Sequence, residues 1–225
     1  MKIGAVILAR SNFGRWPGKL KADLGGKPVI ERVVERWVKV KGLDSIILST
    51  TDRPEDKWLM NLAGRYGIDY TTGPPDDRGL RYFEAVRDNL LDYFIPAPGN
   101  WPFIEIEVIQ EVIQAARQNP GFSWYRYMRH SCSGISIGVM NSKMIVEYQK
   151  NGTDQELWWD VVAEDKKAFI LHNWKDVDLR NKYLIDLNIA YPLEVALFNK
   201  IIKYLGYYPE CYADFVKAYT EMKTL

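Results

Sequence analysis

Residues that most often carry metal and redox chemistry are scarce here: two cysteines, Cys132 and Cys211, and two histidines, His130 and His172, in 225 residues. The cysteines stand far apart at no metal-ligand spacing, so neither a zinc module nor a disulfide scaffold follows from them, and a reducing cytoplasm is the expected setting. His172, inside FILHNW, has no Cys or His at ligand spacing and reads as a core or edge residue. No G-x-S-x-G elbow accompanies His130, which leaves Ser131 and Ser133 without a hydrolase context. Charge of one sign is missing as well. Thirty Lys and Arg against 29 Asp and Glu give a formal charge of +1, so no global field draws the chain to nucleic acid or an anionic membrane. Apolar runs are strand-sized, short of the roughly 20 residues a membrane helix needs, and the basic, apolar and small-residue succession of a signal peptide is absent.

What is present is a core-forming composition, 47% hydrophobic with 13% aromatics, enough for one domain over residues 1–225. Residues 3–9, IGAVILA, form a continuous apolar run that predicts a central strand covered on both faces. Pro28 opens a helix whose stripe is Val29, Val33, Val34, Trp37 and Val40, with Glu31, Arg32, Glu35 and Arg36 expected to face away. Strand 45–52, helix 54–67, strand 68–73 and helix 79–92 continue the alternation. DYFIPAPGN, with two prolines, predicts only a short strand, followed by a helix over 105–118. Alternation of this kind predicts an α/β sheet sandwiched between helices with right-handed crossovers. The second half is less regular. Strands are expected over 122–130, 133–141, 169–174 and 182–191, and helices over 142–149, 154–165 and 192–206, with the helix 209–223 as an appendage.

The first strand delivers LARSNFGRWPGK (8–19) to the carboxyl edge of the sheet, where ligands of open α/β sheets bind. Arg10 and Arg15 offer planar forks to phosphate oxygens, Lys19 offers a mobile charge, and Gly14 and Gly18 permit close backbone approach. This is no Walker loop. Phe13 stands where its first glycine belongs, Leu20 replaces the Ser or Thr, and no G-x-G-x-x-G occurs. On charge pattern alone, a polyphosphate grip and a solvated loop whose arginines pair with nearby acids stand level.

The stretch from Ala9 to Pro28, A-R-x-x-x-x-R-x-P-G-K-x-x-x-x-L-x-G-K-P, resembles the signature of the cytidylyltransferases that activate acid sugars, such as CMP-sialate and CMP-Kdo synthetases. The spore-coat polysaccharide biosynthesis type is similar too. ERVVER (31–36), STTDRPED (49–56), DRGLRYFEA (77–85), GNWPFIEIEVI (99–109) and IAYPLEVALFNKI (189–201) extend the resemblance over nearly the whole chain. It implies a nucleotide-diphospho-sugar transferase-like, Rossmann-like mixed sheet on which CTP condenses with a small anionic sugar acceptor and pyrophosphate leaves. By the same resemblance Arg10, Arg15 and Lys19 bind the triphosphate, with Arg10 and Lys19 catalytic, and the backbone at Ala9 lies by the base. Asp77 and Arg81 flank the nucleotide pocket, their other reading being surface charges on a helix. A homodimer is implied as well.

Two positions depart from the family. The resemblance implies a magnesium ion held by an aspartate in G-D-x-P and another in D-x-P, and Asn100 and Ala190 stand there. Asparagine offers at most a neutral oxygen and alanine none, which leaves a weakened metal site for which Glu105 and Asp186 are poor replacements. E-H-V-x-P-Y is replaced by DQELWWDVV (154–162), and an arginine expected before G-D-x-P is missing. Rival readings are therefore a catalytically degenerate nucleotide-binding or scaffolding homologue, and a nucleotidyl- or glycosyl-transferase with another base or acceptor. WYRYMRH (124–130), with Arg126, Arg129 and His130, fits a strand with one wet face better than an acceptor pocket, and Asn151-Gly-Thr is most simply a turn.

Overall fold

The computed structural model describes residues 1–12, 15–127, 138–151, 168–171 and 186–222. Arg129, His130, His172, Trp158, Trp159, the 154–165 helix and the pair Phe13-Gly14 lie outside them. Seven strands form one mixed sheet: β1 (Ile3–Leu8), β2 (Ser45–Thr51), β3 (Asp69–Gly73), β4 (Tyr93–Pro98), β5 (Trp124–Tyr127), β6 (Val139–Asn141) and β7 (Ala168–Leu171). Their order is β3-β2-β1-β4-β6-β5-β7. Strands β1 to β4 run parallel, β6 is antiparallel to β4 and β5, and β7 is parallel to β5.

The helices among the described residues are α1 (Val29–Trp37), α2 (Lys57–Tyr66), α3 (Arg78–Asp88), α4 (Ile106–Gln118), α5 (Ser142–Asn151), α6 (Pro192–Leu205) and α7 (Tyr212–Met222). The period-2 alternation of the strands divides the core. Ile3, Ala5, Ile7, Leu48 and Ile95 pack with α1, α2 and α4, whereas Val6, Ile47 and Phe94 pack on the opposite face with α3 and α5. The continuous apolar run of β1 serves both faces. A further cluster sets Phe103 against Phe198 of α6 and Phe215 of α7, at ring separations of 5.0 and 4.7 Å.

Three expectations are corrected. β4 is a six-residue strand in the middle of the sheet despite Pro96 and Pro98. Tyr93 N donates to Lys2 O and Gly99 N to Leu8 O, so the alternate positions, including both prolines, turn their nitrogens away from β1. Among the described residues the ladder on that other side ends at Phe94, so no donor is missed there. Arg36 does not face away: it is buried, donating to Ile104 O (2.8 Å) and Pro209 O (3.1 Å) and pairing with Glu210. Its fork satisfies carbonyls that the α6–α7 connection would otherwise leave unpaired. Residues 186–190 are not a strand. Asp186 accepts from Asn188 N at 2.9 Å, and Ile189 N bonds Asn100 O at 3.1 Å instead of a neighbouring strand.

Candidate nucleotide site

Loop 9–19 leaves β1 at the carboxyl edge of the parallel strands. Ala9 is buried and its N–H donates to Ser49 O of β2 at 3.0 Å, which carries the ladder one residue past the strand. Ser11 is the hinge of the loop. Its N–H donates to Asp56 Oδ1 at 2.6 Å, its Oγ donates to Glu55 O and accepts from Trp58 Nε1 at 2.9 Å, and its carbonyl accepts from Gly18 N at 3.0 Å. Asp56, itself buried, also accepts from Thr51 Oγ1. Gly18 sits at φ +81°, a conformation that suits glycine, and turns the chain into the single helical turn Lys19–Lys21.

The loop presents its cations in two directions. Arg10 bonds Pro75 O and Asp76 Oδ1 (3.0 Å) in the loop before α3. Beside it lies Arg81, only 2% exposed, whose Nε and Nη1 are buried without a hydrogen-bond partner. Burial first, then the neighbouring Arg10, pushes the Arg81 guanidinium down to about 10, with Asp56 opposing. Arg81 is thus no surface helix charge. A Cβ at Gly73 would stand 2.9 Å from its Cγ, which places it against the end of β3. Asp77 caps α3, its Oδ1 accepting from Leu80 N at 2.7 Å.

On the other side, Lys19 is buried and Arg15 is exposed, its guanidinium 5.6 Å from the Tyr191 ring centre. Burial and then Arg15 hold the Lys19 amine below the usual lysine range, with Glu194 partly offsetting them. Glu194 opens α6, accepting from the N–H groups of Ala190 (3.3 Å) and Tyr191.

Asn100 lies at the same sheet edge, because Gly99 N bonds Leu8 O at 2.9 Å and a Cβ at Gly99 would meet that oxygen at 2.6 Å. Its Nδ2 donates to Asn188 Oδ1 and to Ile189 O at 2.8 Å, so this side chain serves as a donor across the two segments. Nearby acids are committed elsewhere. Glu105 accepts from Tyr212 N, and Asp186 and Glu194 accept from the backbone groups already named. Among the described residues no group of three His, Cys, Asp or Glu could hold a metal ion. The side chains present at positions 100 and 190 do not fit a magnesium ion.

The structure therefore brings Ala9, Arg10, Lys19, Arg81 and Asn100 to one edge, with Arg15 at its rim and Asp77 spent as a cap. Sequence reasoning missed Ser11, Asp56, Trp58 and Glu194. The acids of STTDRPED signalled a helix start, and no spacing there shows that Asp56 turns inward.

A family model described as cytidylyltransferase matches residues 5–149, which include the basic loop, Asp77, Arg81 and Asn100. The chain belongs to the cytidylyltransferase family. A 3-deoxy-manno-octulosonate cytidylyltransferase of Trichlorobacter lovleyi is 32% identical over 124 residues, 54% of this chain and 47% of that protein. The chain thus spans about half to two thirds of the length of the curated cytidylyltransferases it matches. A cytidylyltransferase structure from Leptospira borgpetersenii shares the fold at a TM-score of 0.85 and 20% identity, over 100% of this chain and 96% of that one. A CMP:2-keto-3-deoxy-manno-octonic acid synthetase complexed with CTP aligns at 0.68 and 15% identity, over 90% and 99%. The nucleotide-diphospho-sugar transferase-like architecture of this family member is that of its structural neighbours.

Proposed function

We propose that this cytidylyltransferase binds CTP through loop 9–19 and transfers its CMP group to a small anionic sugar, of the acid-sugar class named by its relatives. The observation that carries the reading is the buried, partnerless guanidine edge of Arg81, which lies beside Arg10 of the basic loop and against the end of β3. A buried cation with unfilled donors is costly in the absence of an anion, and a phosphate supplies the missing acceptors.

In the transfer, an acceptor oxygen forms a bond to the α-phosphorus while the bond from that phosphorus to the pyrophosphate oxygen breaks. The acceptor proton passes to solvent and pyrophosphate departs carrying the bonding pair. Arg10 and Lys19 stabilise charge accumulating on the leaving group, Arg15 closes over its outer oxygens, and the backbone beside Ala9 borders the base. Loss of both carboxylates, at positions 100 and 190, favours a second reading, a homologue that binds nucleotide without turning it over. A cytoplasmic role in surface-polysaccharide synthesis, as a homodimer, accompanies the first.

Pyrophosphate release measured with CTP, ATP, GTP and UTP against a panel of sugar acids, including 3-deoxy-manno-octulosonate, separates these readings. Release specific to CTP and to one acid supports transfer. CTP binding without release under any acceptor supports the second reading, and preference for another base or a neutral acceptor indicates a different transferase.

A further inference from the structure

Magnesium bound with a nucleotide is usually held by one or two protein carboxylates together with the phosphates. At this sheet edge the protein offers cations in their place. The Asn100 amide faces two oxygens, Ile189 O and Asn188 Oδ1, and only its NH2 end can do so, which fixes the orientation of the side chain. Ile189 N returns a bond to Asn100 O, and Ile189 is fully buried, so the two segments are latched by neutral groups. Ala190 adds no oxygen. At the same sheet edge Arg10 adjoins the buried, partnerless edge of Arg81, and Lys19 lies near Glu194, which accepts from Ala190 N.

Resting on the CTP reading above, we propose that this protein takes its nucleotide as the metal-free polyanion, with Arg81 and the loop cations neutralising the charge that a divalent ion would otherwise carry. Chelation of the phosphates by magnesium competes with these guanidinium and ammonium groups for the same oxygens. Free CTP is bound at least as tightly as its magnesium complex.

The test is calorimetric titration of CTP into the intact protein, once in EDTA and once in excess magnesium, without acceptor so that no turnover intervenes. The expected result is a dissociation constant in EDTA equal to that in magnesium or up to about tenfold tighter. Tightening on adding magnesium overturns this inference while leaving the CTP reading intact. No CTP binding in either buffer overturns both. Arg81→Met should lose at least about tenfold in EDTA without a fall in melting temperature, and an unchanged affinity in that variant counts against the proposal. Ala190→Asp, alone and with Asn100→Asp, should introduce magnesium-dependent tightening that the natural chain lacks. If both fold, as circular dichroism reports, and neither gains it, position 190 does not face the phosphates and the inference fails.

Discussion

Asn100 Nδ2 donates to Ile189 O at 2.8 Å, joining the loop after the central strand β4 to the segment that opens α6. A carboxylate in the same place would set its charge against two acceptor oxygens. Asn100→Asp should therefore cost about 1–3 kcal/mol at neutral pH, measured by denaturant titration. Repulsion raises the folded-state pKa of the introduced carboxyl above its unfolded value, so the deficit should shrink as the pH falls through that raised pKa. A pH-independent deficit would contradict the donor assignment.

Asp56 anchors the loop from below, through Ser11 N and Thr51 Oγ1. Asp56→Ala leaves two buried donors unpaired and should cost about 3 kcal/mol, with a matching loss of CTP affinity because Arg10 adjoins the displaced Ser11. Melting temperature and CTP titration on one preparation check it.

Arg81 predicts the opposite balance. As a buried cation with an unfilled edge it should weaken the nucleotide-free protein, so Arg81→Met should melt at the same temperature or higher while binding CTP about tenfold or more weakly. A variant that loses stability and keeps affinity would show a structural role only.

Lys19 gives a pH signature. Its amine is held down by burial and then by Arg15, so the folded-state pKa lies below the unfolded one. Burial of the charged form then opposes folding below the folded pKa, and stability rises with pH from there toward the unfolded value. CTP affinity should fall in the same window, beginning below the ordinary lysine range, and Lys19→Arg should move that fall to higher pH. Arg15→Ala removes the second cause and should shift it upward as well.

The alternating elements were legible because each carried its period: IGAVILA for a doubly covered strand and the Val29–Trp37 stripe for a helix. Arg10 and Lys19 were legible as loop cations by their address after β1. Arg36 and Arg81 were not, since a charge at helical spacing reads as solvated and nothing local shows that carbonyls at 104 and 209, or the end of β3, close over it. The prolines of β4 misled for a related reason. Whether a missing N–H matters depends on which side of the strand has a partner, and that is a tertiary fact.

The most direct measurement is the affinity for CTP, with ATP as control, of the natural chain beside Lys19→Ala. Selective CTP binding that weakens by about tenfold or more in the variant is the predicted result. No CTP binding by the natural chain, or equal affinity in the two, would contradict loop 9–19 as a triphosphate site.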